Sequence, residues 1–254
     1  MKSYKIHLLR HGLTEANERG WYLGLTDLPL SPSGLAALLE QKKKGGYPGA
    51  ARFFTSPLTR CRQTLEVLYP GCRPEVADGL AECDFGDWDG RSAAELQDDP
   101  HFRDWVAGKR QSIPDGEDAA HFQQRVTAAF EEIVTGLMRS GETEAVVCTH
   151  GGVIMLLMAA YALPRADLSE WGTPAGCGFT LRITPGLWMR EPVAGGGADP
   201  VSRSRRLTGA SCNSGNVTPP LYVFVEGWKG VFLSPVSPLP LPMGWWVLTE
   251  DKIP

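Results

Sequence analysis

The chain has 254 residues, enough for one large domain or a domain with a tail, and its 43% hydrophobic and 21% charged residues are ordinary for a globular protein. A net charge of −4 offers no basic field for nucleic acid or an anionic membrane. The longest apolar run, Val153 to Leu163, has 11 residues, too few to span a bilayer, and the start MKSYKIHLLRHG lacks a signal-peptide core, so a cytoplasmic protein is expected.

Ile6 to Leu9 reads as a first strand, followed by a loop from Gly12 to Leu30 with a short helical turn near its start. Ser31-Pro32 is a cap followed by proline at the first helical position, which predicts a helix to about Lys44, stopped by Gly45-Gly46. Ala51 to Thr55 reads as a second strand. Ser56-Pro57 repeats the cap-proline signal before a helix with Leu58, Cys61, Leu65 and Leu68 on one face. A short strand is expected over Glu75 to Leu80, then an acidic, aromatic loop, LAECDFGDWDG. Phe122, Val126, Phe130, Ile133 and Leu137 predict a long helix from about Glu117 to Arg139, with Glu117 near its positive end. Glu144 to Thr149 reads as a strand, Gly151 to Leu163 as a buried apolar helix, and Phe179 to Thr184 as the last strand.

Strands and helices alternate from residue 4 to about 184, which predicts one α/β domain over 1–184: three layers, a mostly parallel sheet with helices on both faces. Residues 185–254 differ. They hold 10 of the 20 prolines, GGG at 195–197 and RSRR at 203–206, without helical periodicity. A poorly ordered extension or a small β appendage is expected there, a shifted reading frame being another origin for such a sequence. The six cysteines form no C-x-x-C and lie at no zinc-finger spacing, so reduced thiols are expected, with neither a metal site nor a disulfide framework.

Two motifs 139 residues apart carry the chemistry: LLRHGLTEAN, with Arg10 and His11, and VVCTHGG, with His150. Each follows a strand and leads into a helix, the edge where open α/β sheets bind ligands. A neutral imidazole can attack phosphorus, and an arginine fork can hold a phosphate. Gly12 is expected to let a phosphate approach the backbone, and the amides after His150 to receive an anion. Arg60, in the first turn of its helix, can point over the sheet's edge, whereas Arg62 faces elsewhere. Glu82, Asp84, Asp87 and Asp89 are all candidates for a general acid, and periodicity does not choose among them. Trp21, Tyr22, Trp88 and Trp105 lie in the segments expected over the pocket, 18–26 and 83–115. They either stack on a ring substrate or pack beneath the loops. Glu117 is a further residue that can meet substrate.

Taken in order, LLRHGLTEAN, FTSPLTRCRQTL, LAECDFGDWDG and VVCTHGGVIMLLM resemble the histidine phosphatase superfamily, with its phosphoglycerate mutase-like fold, over roughly residues 4 to 184. The resemblance implies that His11 is the phosphorylated nucleophile and that Arg10, Arg60 and His150 complete a phosphate pocket. It further implies that Glu82 is the proton donor, that Thr14, Asn17 and Gly24 match pocket positions and that Gly151 lends an amide. No metal or organic cofactor is implied, and the partner is a small-molecule phosphate. Oligomeric state is left open.

Departures from the mutase pattern lean towards hydrolysis. Leu23 stands where mutases carry Ser or Thr, Cys83-Asp84-Phe85 follows the acid, only 67 residues separate Glu82 from His150, and the second motif reads THGG. The secreted acid phosphatase signature RHGxRxP is absent. ECDFGDWDG and GLTDLPLS look most like the α-ribazole phosphatases and related broad-specificity bacterial phosphatases. The expected activity is phosphomonoester hydrolysis through a phosphohistidine, α-ribazole phosphate being one candidate substrate. The alternatives are mutase-type phosphoryl transfer and an inactive phosphate-binding protein.

Overall fold

The protein is described by a computed structural model covering residues 2–189. A five-stranded sheet forms its centre, in the order β3-β2-β4-β1-β5. The strands are β1 (Tyr4–Arg10), β2 (Arg52–Thr55), β3 (Glu75–Val76), β4 (Glu144–Thr149) and β5 (Gly178–Ile183). All neighbours run parallel except β5, which is antiparallel to β1. The helices are α1 (Glu15–Glu18), α2 (Pro32–Lys44), α3 (Thr59–Leu68), α4 (Ala93–Leu96), α5 (Pro100–Val106), α6 (Ala119–Ser140), α7 (Gly151–Tyr161) and α8 (Pro185–Trp188).

Side-chain alternation along the strands creates the two faces. Tyr4, Ile6 and Leu8 of β1, with Ala145 and Val147 of β4, pack under α6 and α7 in one core. Leu9, Val146 and Cys148 point the other way, onto Leu38 of α2 and Cys61, Leu65 and Leu68 of α3. The expected three-layer, mostly parallel sheet is the observed fold.

Local chemistry sets most boundaries. Ser31 caps α2 by accepting from the Gly34 amide at 3.0 Å, with Pro32 next. Asp118 caps α6, accepting from the His121 amide at 2.8 Å, and Gly141 ends that helix with φ 78°, the left-handed conformation glycine adopts without strain. The second cap-proline signal works differently from expectation. α3 starts two residues after Pro57, and its first amide, on Thr59, donates to Asp27 of a distant loop at 2.7 Å. The expected strand over Glu75–Leu80 is two residues long and turns into a 3-10 helix at Asp78–Leu80. α4 and α5 lie in the segment after the acidic loop, where no helix is expected from periodicity. The extension from residue 190 onward lies outside the described residues. Trp188, past the expected boundary at 184, sits with its ring 6.1 Å from Phe130 and 5.2 Å from Tyr161.

Candidate active site

Three adjacent parallel strands, β2, β4 and β1, end side by side, and the residues that follow them are Ser56, His150 and His11. Backbone bonds carry the ladder one step past the strand ends: the His11 amide donates to Thr149 O at 3.0 Å and the Ser56 amide to Cys148 O at 3.0 Å. The two imidazoles therefore meet edge to face, with ring centroids 5.1 Å apart.

The hydrogen bonds fix which nitrogen of each ring carries the proton. His11 Nδ1 lies 2.6 Å from the Gly12 carbonyl, which can only accept. In the neutral ring Nδ1 is thus the donor and Nε2 keeps its lone pair. On His150, Nδ1 receives the Nε–H of Arg60 at 3.3 Å, so Nε2 carries the proton and donates it to Ser56 Oγ at 2.7 Å. Burial holds both histidines well below their ordinary pKa, helped on His11 by Arg60 and Arg10 and on His150 by His11 and the same arginines.

Arg60 is wholly buried in the first turn of α3. Besides His150 it binds the Thr26 carbonyl at 3.0 Å and the Gly24 carbonyl at 2.8 Å. Three of the five guanidinium N–H groups are engaged, which leaves two for an anion. Arg10, the last residue of β1, donates to Thr173 O at 2.6 Å. Glu82 is buried, with one carboxyl oxygen 3.0 Å from its neighbour's amide at Cys83 and the other 3.2 Å from the Gly152 amide in the first turn of α7. Burial raises its pKa above the usual carboxylate value, against the opposing pull of those amides and both arginines. The pocket thus gathers two imidazoles with depressed pKa values, two guanidiniums and a carboxyl whose pKa burial raises.

Of the four acidic candidates, Glu82 alone faces this pocket fully buried. Asp84 accepts from the Gly86 amide at 3.0 Å, Asp87 is exposed, and Asp89 holds the Gly24 and Thr26 amides at 3.1 Å each. Thr14 and Asn17 form a capping box at the start of α1, which uses the threonine hydroxyl and the asparagine oxygen on each other. Gly24 has its amide on Asp89 and its carbonyl on Arg60, so it bears on the pocket through that arginine. Gly151 opens α7 directly after His150, and it is the next amide, on Gly152, that holds Glu82.

Some sequence expectations are corrected and some open alternatives decided. The Gly12 amide is engaged by Thr64 Oγ1 at 2.9 Å, and a Cβ there would lie 2.5 Å from a methyl of Leu38. Packing, not phosphate access, requires glycine at that position. Tyr22, Trp88 and Trp105 pack with Phe85 and Phe102 beneath the loops, and Trp88 donates its indole N–H to Asp99 at 3.0 Å. Trp21 alone of the four is half-buried, under the guanidinium of Arg19. Glu117 meets Arg125 instead of the pocket. Sequence reasoning missed Ser56 as a pocket residue because its serine-proline pair reads equally well as a helix cap. Among the described residues, no cluster of three or more His, Cys, Asp or Glu side chains is arranged to hold a metal ion, and no helix is long and apolar enough to cross a membrane.

Residues 6–190 match the histidine phosphatase superfamily, branch 1. The chain belongs to this family. It is 28% identical over 190 residues to the adenosylcobalamin/α-ribazole phosphatase of Salmonella typhimurium, covering 72% of this chain and 92% of that one. A crystal structure of phosphoglycerate mutase from Thermus thermophilus superposes with a TM-score of 0.55 at 30% identity, over 70% of this chain and 92% of the other. The α-ribazole phosphatase of Shigella flexneri gives a TM-score of 0.61 over 71% and 91% of the two chains, and at 24% identity it attests the fold alone. This histidine phosphatase is therefore an enzyme with a phosphate ester as its class of substrate.

Proposed function

We propose that the protein hydrolyses the phosphomonoester of a small alcohol through a phosphohistidine on His11, with α-ribazole phosphate as the candidate substrate. The observation that carries this reading is the commitment of His11 Nδ1 to a carbonyl, which reserves the Nε2 lone pair for phosphorus. The ester dianion sits against Arg10 and the two remaining donors of Arg60. It takes over the Nδ1 edge of His150, and its charge favours protonation there, so that Nδ1–H donates to a phosphate oxygen. Asn17 offers its amide nitrogen, which the capping box does not use.

His11 Nε2 forms a bond to phosphorus as the ester P–O bond breaks, and the carboxyl proton of Glu82 passes to the departing alkoxide. The carboxylate then takes a proton from water as that oxygen attacks phosphorus and the N–P bond breaks. Phosphate leaves, and His11 and Glu82 return to their starting states. The proton that His150 gains enters with the ester as its monoanion and leaves again with the phosphate, and the remaining protons are exchanged between Glu82, the alcohol and water. The substrate assignment is supported by the name and coverage of the Salmonella relative. A reducing, cytoplasmic setting belongs to the same proposal, supported by the five described cysteines being thiols.

The test is phosphate release from a panel of α-ribazole phosphate, sugar phosphates, phosphoglycerates and an aryl phosphate, with chelator present and His11→Ala as control. Chelator-resistant release that disappears in the variant is expected. Exchange of phosphate between positions of a phosphoglycerate without release would replace hydrolysis by mutase chemistry. No turnover of any compound by the folded protein would leave a phosphate-binding protein.

A further inference from the structure

The segment leading to Glu82 holds a single 3-10 turn, Asp78–Leu80, and each carbonyl from Gly79 to Glu82 has a partner from a distant side chain. Gly79 O and Ala81 O accept from Arg125 Nη1 at 3.0 and 2.8 Å, and Glu82 O accepts from Arg125 Nη2 at 2.8 Å. The carbonyl between them, on Leu80, accepts from Thr149 Oγ1 at 2.8 Å, one residue before His150. Arg125 also donates from Nε and Nη2 to the two carboxyl oxygens of Glu117, at 2.7 and 2.8 Å. All five N–H groups of the guanidinium are thereby used. The same Glu117 is tied to the far side of the acidic residue: its amide donates to Asp84 O at 3.0 Å. Arg125 projects from the rigid helix α6, which approaches so closely that a Cβ on Gly79 would lie 2.8 Å from the Arg125 carbonyl.

We infer that Arg125, held by Glu117, is a positioning residue that sets Glu82 for proton transfer. The inference rests on Glu82 being the proton donor. A saturated guanidinium has nothing left for phosphate, so Arg125 is not a third phosphate cation. Its bonds instead fix three carbonyls around one residue whose carboxyl must meet a leaving oxygen within hydrogen-bond reach. Lysine keeps the charge but is a point donor on a flexible stem and cannot span these acceptors.

A structural prop would lower activity on all substrates alike. A residue that positions the acid has a different signature. An alkyl phosphate needs its leaving oxygen protonated, whereas the nitrophenolate of 4-nitrophenyl phosphate departs as an anion. The experiment compares kcat/KM, which reports phosphoryl transfer to His11, for an alkyl phosphate and 4-nitrophenyl phosphate. The proteins are wild type, Arg125→Lys, Glu117→Gln and, as benchmark, Glu82→Gln. General acid catalysis contributes on the order of 10²- to 10⁴-fold. Partial loss of position should therefore lower the alkyl rate at least about tenfold more than the aryl rate in Arg125→Lys, with a smaller effect of the same kind in Glu117→Gln.

If Glu82→Gln discriminates between the substrates while the other two variants lower both equally or neither, the inference is overturned and the role of Glu82 stands. If Glu82→Gln lowers both equally, the role of Glu82 itself is overturned and the inference with it. Should the lysine variant not fold, the near-isosteric Glu117→Gln decides the question.

Discussion

Replacing Ser56 by alanine removes a single oxygen, and the geometry says what that oxygen does. It accepts the His150 Nε2–H at 2.7 Å and the Leu58 amide at 3.3 Å, and Ser56 is wholly buried. Without that oxygen the buried imidazole N–H keeps only the weakly accepting sulfur of Cys61, 3.6 Å away, which costs about 1–3 kcal/mol, at the upper end once the ring becomes cationic. The neutral ring of the resting enzyme feels the smaller part of that penalty. The cationic ring facing a phosphate dianion feels the larger part, so catalysis should suffer more than folding. Because kcat/KM compares the transition state with the free enzyme, only the difference between the two penalties, about 2 kcal/mol, appears in it: at about 1.4 kcal/mol per tenfold, kcat/KM should fall roughly 30-fold while stability falls by about 1 kcal/mol. Ser56→Cys, whose sulfur is a weak acceptor, should lie between wild type and alanine. Phosphate release across pH and urea unfolding measure the two effects. Kinetics within twofold of wild type, alongside a clear loss of stability, would refute the argument and reduce Ser56 to a packing residue.

Two further perturbations bear on the same pocket. A Cβ on Gly24 would lie 2.4 Å from Cys83 O and 2.9 Å from the Phe85 amide, both backbone atoms, so Gly24→Ala must move the loop that holds Arg60. We expect a stability loss of about 1–3 kcal/mol and weaker competitive inhibition by inorganic phosphate; an unchanged inhibition constant would separate the loop from the pocket. On acidification, both buried histidines have folded pKa values below the ordinary 6.5. The unfolded chain then binds more protons, and stability present above 6.5 is lost as pH falls through that value towards the folded pKa. Glu82, raised by burial, has the opposite sign: its contribution is present at low pH and is lost as pH rises through its folded pKa. The urea midpoint should fall between pH 7 and 5, less steeply in His150→Gln; an equal slope in the two proteins would contradict the buried neutral imidazole.

What the sequence makes legible is whatever is written locally. Ser31-Pro32 announces α2 because capping is a matter of adjacent residues, and Phe122, Val126, Phe130, Ile133 and Leu137 announce α6 because burial follows helical period. The histidine motifs announce themselves at strand ends. Their meeting depends on β4 lying between β1 and β2, an order no single segment encodes. Long-range partners are hidden for the same reason. Asp27 caps α3 from 32 residues away, which frees Ser56 for His150. Glu117 reads as a helix-start carboxylate until α6 brings Arg125 against it across eight positions. In the sequence, resemblance alone singles out the acid among four carboxylates. Its distinguishing property, burial against the Gly152 amide, exists only in three dimensions.

These long-range ties also argue about how the pocket meets its ligand. Arg60 binds loop carbonyls at Gly24 and Thr26 through its two terminal nitrogens and His150 through Nε. A phosphate that uses the remaining N–H on each terminal nitrogen and the His150 edge leaves both loop bonds in place, so anion binding needs little rearrangement of that loop. The loop itself is wedged against Cys83 and Phe85 at Gly24, and its amides are held by Asp89. Little ordering entropy is then lost when phosphate binds, and the pocket stands organised before the ester arrives. Selection among alcohols must accordingly be made outside this frame, by side chains that do not hold Arg60, His11, His150 or Glu82. One phosphate pocket can in this way serve relatives whose leaving groups differ.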